Sequence, residues 1–145
     1  MIRIAHRGNI DGPDPSTENH PEQLLKAISL GFDVETDVWV TGDEIFLGHD
    51  EPTYQVTAKY LQSIGLSAWY HCKNLLAVEY FLSNMPELNF FWHEEDRFTL
   101  TSSGYIWTYP KQPFTSRSVI VDLSADNLQK YQNIPYGICT DYPGA

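Results

Sequence analysis

Short apolar runs recur along the whole chain, and nearly all of them end in charged or polar residues. They read IRIAH (2–6), FDVETDVWV (32–40), SAWYHCK (67–73), NFFWHEED (89–96), GYIWTYP (104–110), RSVIVDLS (117–124) and YGICTDYP (136–143). Runs this short, rich in β-branched and aromatic residues and bounded by turn formers, predict strands. EIFLGH (44–49), reached through the turn TGDE, adds another extended piece. Between the first two strands, NHPEQLLKAISLG (19–31) predicts a helix. Asn19 serves as its N-cap, Glu22 stands three residues on, and Gly31 closes the end. NLLAVEYFLSNM (74–85) predicts a second helix, and SADNLQKYQN (124–133) a short one capped by Ser124. Strand, helix, strand is the pattern of an α/β fold with parallel strands, whose chemistry sits at the carboxyl ends of the strands.

The chain has 145 residues, one domain by length, and its 42% apolar content suffices for a core. A formal net charge of -10 makes it a poor partner for nucleic-acid polymers or anionic membranes. An anionic substrate would need local basic groups or a cation to overcome that field. Cys72 and Cys139 both lie in apolar strand-like runs and read as buried thiols. The start, MIRIAHRG, lacks a long apolar segment, and no stretch reaches the roughly 18 apolar residues of a membrane span. A cytoplasmic protein without stable membrane insertion is the expectation.

Within FDVETDVWV the acids Asp33, Glu35 and Asp37 stand at every second position. Residues i and i+2 of a strand share a face about 7 Å apart. Carboxylates so placed repel one another, but they make a site for a hard cation that takes oxygen ligands. The competing reading is a half-exposed strand with its acids in water.

His6 and His49 each end an extended run beside a charged neighbour, Arg7 and Asp50. Two histidines can act as base and acid in one reaction; alone, each could equally be a structural strand-end residue. Arg7 offers a fork for a phosphate, or a surface ion pair. Lys73 shares a strand face with Trp69 and His71 by parity. It either meets an anion there or snorkels outward. In WHEED (92–96), His93 and Glu95 share one face; Glu95 and Asp96 read as loop. Trp69, Trp92, Trp107, Tyr105 and Tyr109 read as core packing, with an aromatic wall for a ring-bearing ligand as the alternative.

Taken together, these residues resemble the glycerophosphodiester phosphodiesterase family. The likeness runs through IAHRG (4–8) and ENH (18–20), where the family has Glu-Asn-Thr opening a helix. It continues through GFDVETDVWVTGDEIFLGHDEP (31–52), which follows the family order Gly-x-Asp, Glu-x-Asp-Val, Thr-x-Asp, His-Asp. GICTDYP (137–143) is similar to the family's last barrel strand, while the stretch from 74 to 135 carries little of the pattern.

The resemblance implies a single domain over residues 1–145, a compact or trimmed (β/α) TIM-type barrel of about seven parallel strands with short helices. It implies a metal-dependent phosphodiesterase with a small phosphodiester substrate. His6 and His49 would be the acid–base pair, Arg7 and Lys73 would hold the phosphate, and Glu35 and Asp37 would ligate Mg²⁺ or Ca²⁺. In that family a substrate hydroxyl is thought to attack phosphorus with histidine assistance. The chain departs from the family in three ways. The third metal carboxylate is replaced by His71, which becomes the third candidate ligand. Asp33 stands one residue closer to Glu35 than the family's spacing. The chain is also shorter than the roughly 200 residues of a small full barrel. A trimmed barrel with exposed sheet would gain from a homo-oligomeric partner. The alternative to an enzyme is a weakened or inactive barrel that binds a phosphorylated ligand; a third reading is a different metal hydrolase in which His71 and His93 bind Zn²⁺ or Mn²⁺.

Overall fold

Alternation of apolar residues along the strands drives one mixed sheet with apolar packing on both faces. A computed structural model describes residues 1–126 and 128–145. Its strands are β1 (Ile2–His6), β2 (Asp33–Thr41), β3 (Glu44–Leu47), β4 (Tyr54–Val56), β5 (Ala68–Cys72), β6 (Asn89–Trp92), β7 (Phe98–Leu100), β8 (Ile106–Thr108), β9 (Ser118–Val121) and β10 (Gly137–Thr140). The α-helices are α1 (Pro21–Ser29), α2 (Ala58–Ile64) and α3 (Leu75–Asn84). Parallel pairs join β6 to β5, β5 to β2, β2 to β1, β1 to β10, β10 to β9 and β9 to β8. Antiparallel pairs add β3 to β2, β4 to β3 and β7 to β8.

The expected TIM-type barrel is not what forms. The sheet is mixed and curled into an open half-barrel. Among the described residues no ladder joins β6 to β8, because β7 runs antiparallel along β8 in the gap. Isolated bonds span the opening instead. Ser102 N donates to the Phe90 carbonyl at 2.8 Å, and Thr99 Oγ1 to the Trp92 carbonyl at 2.9 Å. A (β/α) barrel also needs a helix after each strand to cover its outside. Among the described residues helix, 3₁₀ turns included, makes up only about 23% of the chain, and all three described α-helices precede β6. The remaining crossovers are loops and short 3₁₀ turns, as 145 residues are too few for a full outer ring.

Helix starts differ from the sequence expectation. His20, not Asn19, caps α1 by accepting from the Glu22 amide. Asn19 takes a left-handed conformation at φ 62° and turns inward. Asn74 caps α3 through the Ala77 amide, as its type allows. The helix expected over 124–133 is a 3₁₀ turn at Leu128–Tyr131; Asn127 lies outside the described residues. No described helix is long and apolar enough to cross a membrane.

Strand parity sorts the side chains. On β5, Tyr70 and Cys72 join Leu24, Val34, Leu61, Ala77 and Phe81 between sheet and helices. Trp69 joins Ile4, Phe91, Trp107, Val119 and Cys139 on the inner face. Both cysteines are buried and free. Above this inner cluster, toward the carboxyl ends, the same faces carry the polar residues.

Candidate active site

Parity and register bring the sequence candidates together. His6, Arg7, Glu35, Asp37, His49, His71 and Lys73 all line one cavity of about 390 Å³ at the carboxyl end of the sheet. Pairing in register sets His6 beside Glu35 across β1 and β2, and Asp37 beside His71 across β2 and β5. Glu35 and Asp37 are buried, at 3% and 1% exposure, so they do not form a solvated edge. Asp33 is apart from them. It accepts from Trp69 Nε1 at 3.0 Å below the cavity, which removes it from the candidate ligands.

His49 arrives by a different route. The β2–β3 hairpin folds back antiparallel, pairing Val38 with Leu47, and Gly48 N donates to the Asp37 carbonyl at 3.1 Å. A side chain at Gly48 would collide with the Glu51 carbonyl, so glycine permits the close turn that delivers His49. His49 Nδ1 then lies 3.4 Å from Asp37 Oδ2, buried and without a hydrogen bond among the described residues.

His6 Nδ1 and Asp141 Oδ1 are 2.8 Å apart. A carboxylate only accepts, so Nδ1 carries the proton and Nε2 is left as the acceptor of neutral imidazole. Asn9 Nδ2 donates to the same Asp141 oxygen at 2.9 Å. Burial would raise the Asp141 carboxyl, but the bonds from His6 and Asn9 hold it below the usual range. Arg7 sits at φ 54°, a conformation that aims its backbone N–H at Glu35 Oε1, 3.1 Å away. Its guanidinium bonds Glu18 Oε2 at 3.1 Å, and Nε lies 3.8 Å from Asp37.

Asp37 is the hub. Asn19 Nδ2 donates to its Oδ2 at 2.9 Å, while Asn19 Oδ1 accepts from the Asp37 amide at 3.0 Å and from Thr36 Oγ1 at 2.7 Å. His71 Nδ1 is 3.1 Å from Asp37 Oδ1 and 3.8 Å from Glu35 Oε2. Burial opposes ionisation of Asp37, yet its contacts with His49, His71 and Asn19 hold it far below the usual carboxylate range. Glu35 moves the other way. Burial and the Asp37 charge push its carboxyl well above the usual range, against the pull of Arg7 and Lys73.

The two acids therefore share a pocket that tolerates one negative charge without a cation. Glu35, Asp37 and His71 each offer a ligand atom, all within 4.8 Å of one another. The donor set fits a divalent ion, which would relieve the Glu35–Asp37 repulsion. A stability test follows. A raised folded-state pKa stabilises the fold below the unfolded carboxylate range, and that stability is lost as pH rises through the folded value. In EDTA, Glu35→Gln is expected to melt above the parent at alkaline pH, with the gap closing on acidification. Thermal melts across pH check this, and equal melting points throughout would rule out an uncompensated Glu35 charge.

The other half of the cavity is less polar. Trp107, Tyr109, Val121 and Leu123 line it. Trp69 and Tyr105 stay in packing, with ring centroids 5.1 Å apart. Trp107 lines the cavity while it also packs against Phe91, with ring centroids 4.6 Å apart. Cys72 borders the cavity, but its side chain packs with the helix-side cluster and burial pushes its thiol up to about 12, which removes it as a nucleophile near neutral pH. In the 92–96 segment, His93 lines the cavity and its carbonyl meets His71 Nε2 at 2.8 Å. Glu95 and Asp96 are exposed loop residues.

Sequence reasoning misses Asn9, Glu18, Asn19 and Asp141 as partners that hold the site residues in place. Their signal is the pairing of IAHRGN with ENH and TDYP: polar residues at strand ends. No protein-family model, no curated protein and no solved structure matches this chain.

Proposed function

We propose that the chain is a metal-dependent phosphodiester hydrolase of the glycerophosphodiester phosphodiesterase type. The observation that supports this best is the convergence of two histidines, two basic side chains and a Glu-Asp-His ligand set on one cavity. Arg7 and Lys73 bring positive charge to a pocket otherwise dominated by carboxylates, as an anionic phosphodiester requires.

In this reading His6 is the base. Its proton on Nδ1 is held by Asp141, so Nε2 takes the proton of the attacking group, either water or a substrate hydroxyl whose cyclic phosphate water then opens, as the new P–O bond forms. His49, beside Asp37, gives a proton to the alkoxide as the other P–O bond breaks. Glu35, Asp37 and His71 would hold a divalent ion, which when bound supplies charge stabilisation at the non-bridging oxygens. Asn19 keeps Asp37 oriented, and Glu18 keeps Arg7 turned toward the cavity.

The test is hydrolysis of glycerophosphocholine, which carries a hydroxyl beside its phosphodiester, and of bis(p-nitrophenyl) phosphate, which only water can attack, with EDTA and then with Mg²⁺, Ca²⁺, Mn²⁺ or Zn²⁺ restored. Turnover is expected only with an ion present. Turnover unaffected by EDTA would sink the metal-dependent mechanism. Absence of turnover with every ion would leave a binding module for a phosphorylated ligand, the reading that histidine at position 71 favours.

A further inference from the structure

We infer that the Glu35–Asp37–His71 site prefers a first-row transition ion, Mn²⁺ or Zn²⁺, to Mg²⁺ and Ca²⁺, with His71 Nδ1 as a direct ligand. The inference deepens the reading above and rests on it for the site's role, though not for the binding itself. It starts from the tautomer of His71. Nε2 lies 2.8 Å from the His93 carbonyl oxygen, which can only accept, so Nε2 carries a proton. Nδ1, the nitrogen left free to ligate, then faces Asp37 Oδ1 at 3.1 Å and Glu35 Oε2 at 3.8 Å. These groups repel as three acceptors unless a metal ion lies among them or a proton sits on Glu35 or on Nδ1.

The ring is not free to turn away. It stacks on Phe91 with centroids 5.2 Å apart and planes 8° from parallel, and its side chain is 14% exposed. A histidine whose remote nitrogen donates to a backbone carbonyl is the usual arrangement of a metal-bound imidazole, because that bond fixes both tautomer and direction. Imidazole nitrogen suits Zn²⁺ and its first-row neighbours, whereas Mg²⁺ and Ca²⁺ favour oxygen throughout. With carboxylate at position 71 the site would be all-oxygen; with His71 it is mixed. The rival cation is a proton on Nδ1, which would make a His71–Asp37 ion pair with no metal.

Two measurements on the full chain decide between these. In the first, Mn²⁺, Zn²⁺, Mg²⁺ and Ca²⁺ are titrated calorimetrically into metal-free protein and into His71→Glu. The parent is expected to favour Mn²⁺ over Mg²⁺, and the variant to lower that ratio by at least about tenfold. An unchanged ratio would overturn the assignment. In the second, electron paramagnetic resonance of the Mn²⁺-loaded parent should show nitrogen hyperfine coupling. Its absence would leave His71 as an ion-pair partner, and this measurement needs no variant to fold. Neither experiment depends on turnover. Nitrogen-coupled Mn²⁺ in a protein that hydrolyses no diester would keep this inference and remove the phosphodiesterase reading. Mg²⁺-driven hydrolysis without nitrogen coupling would do the reverse.

Discussion

His6→Ala is expected to lower phosphodiester turnover by about a hundred- to ten-thousand-fold, the usual contribution of a positioned acid or base. The residue's side chain is partly open to the cavity and joins no apolar cluster, so the variant should keep the far-ultraviolet circular dichroism of the parent. Asp141→Asn separates chemistry from positioning. Asparagine can present either an acceptor or a donor to His6 Nδ1, so the tautomer is no longer enforced. The loss should fall on kcat more than on KM, because Asp141 acts through His6 and touches no substrate. Steady-state kinetics of both variants, with the metal restored, check the pair. A His6→Ala variant with parental turnover would remove the two-histidine mechanism.

The second large effect is on stability. Asp37→Ala removes the one carboxylate that Asn19, His49, His71 and Arg7 all approach. Deleting one partner of a buried charged network leaves the others desolvated and short of a partner, at up to about 3–5 kcal/mol. For a domain of this size that is a large share of the whole folding free energy. The pH dependence carries a sign. Asp37 is held far below the usual carboxylate range, so its contribution is present above the unfolded value and is lost as pH falls through the folded one. The parent should therefore lose stability in acid more steeply than Asp37→Ala. Urea unfolding at neutral and acidic pH measures both, and parallel pH profiles would show that the network contributes nothing through Asp37. Glu35 has the opposite slope, so Glu35→Gln serves as the internal contrast.

Strand identity and the polar set are legible in the amino-acid sequence, because both are local. Alternation marks which residues share a face, and that rule puts Glu35 with Asp37 and His71 with Lys73. The aromatic runs likewise announce the inner cluster around Trp69 and Trp107. Asn19 shows where local reasoning stops. As a cap former ahead of a helix it reads as an N-cap, yet its amide is used on Asp37, 18 positions away, and His20 caps the helix.

Local periodicity sets the alternating chemistry of each strand: which residues could be apolar, which could be acidic, and on which side. Tertiary structure alone decided closure and partnership. A run of parallel strands is expected to close on itself, but β7 enters the gap beside β8 and leaves a curled, mixed, open sheet. Asp141 meets His6 across 135 positions, and the His93 carbonyl meets His71 across 22. Contacts of that range depend on the register of strands far apart in the chain. Periodicity fixes the face of a side chain, but only the assembled sheet fixes its neighbour.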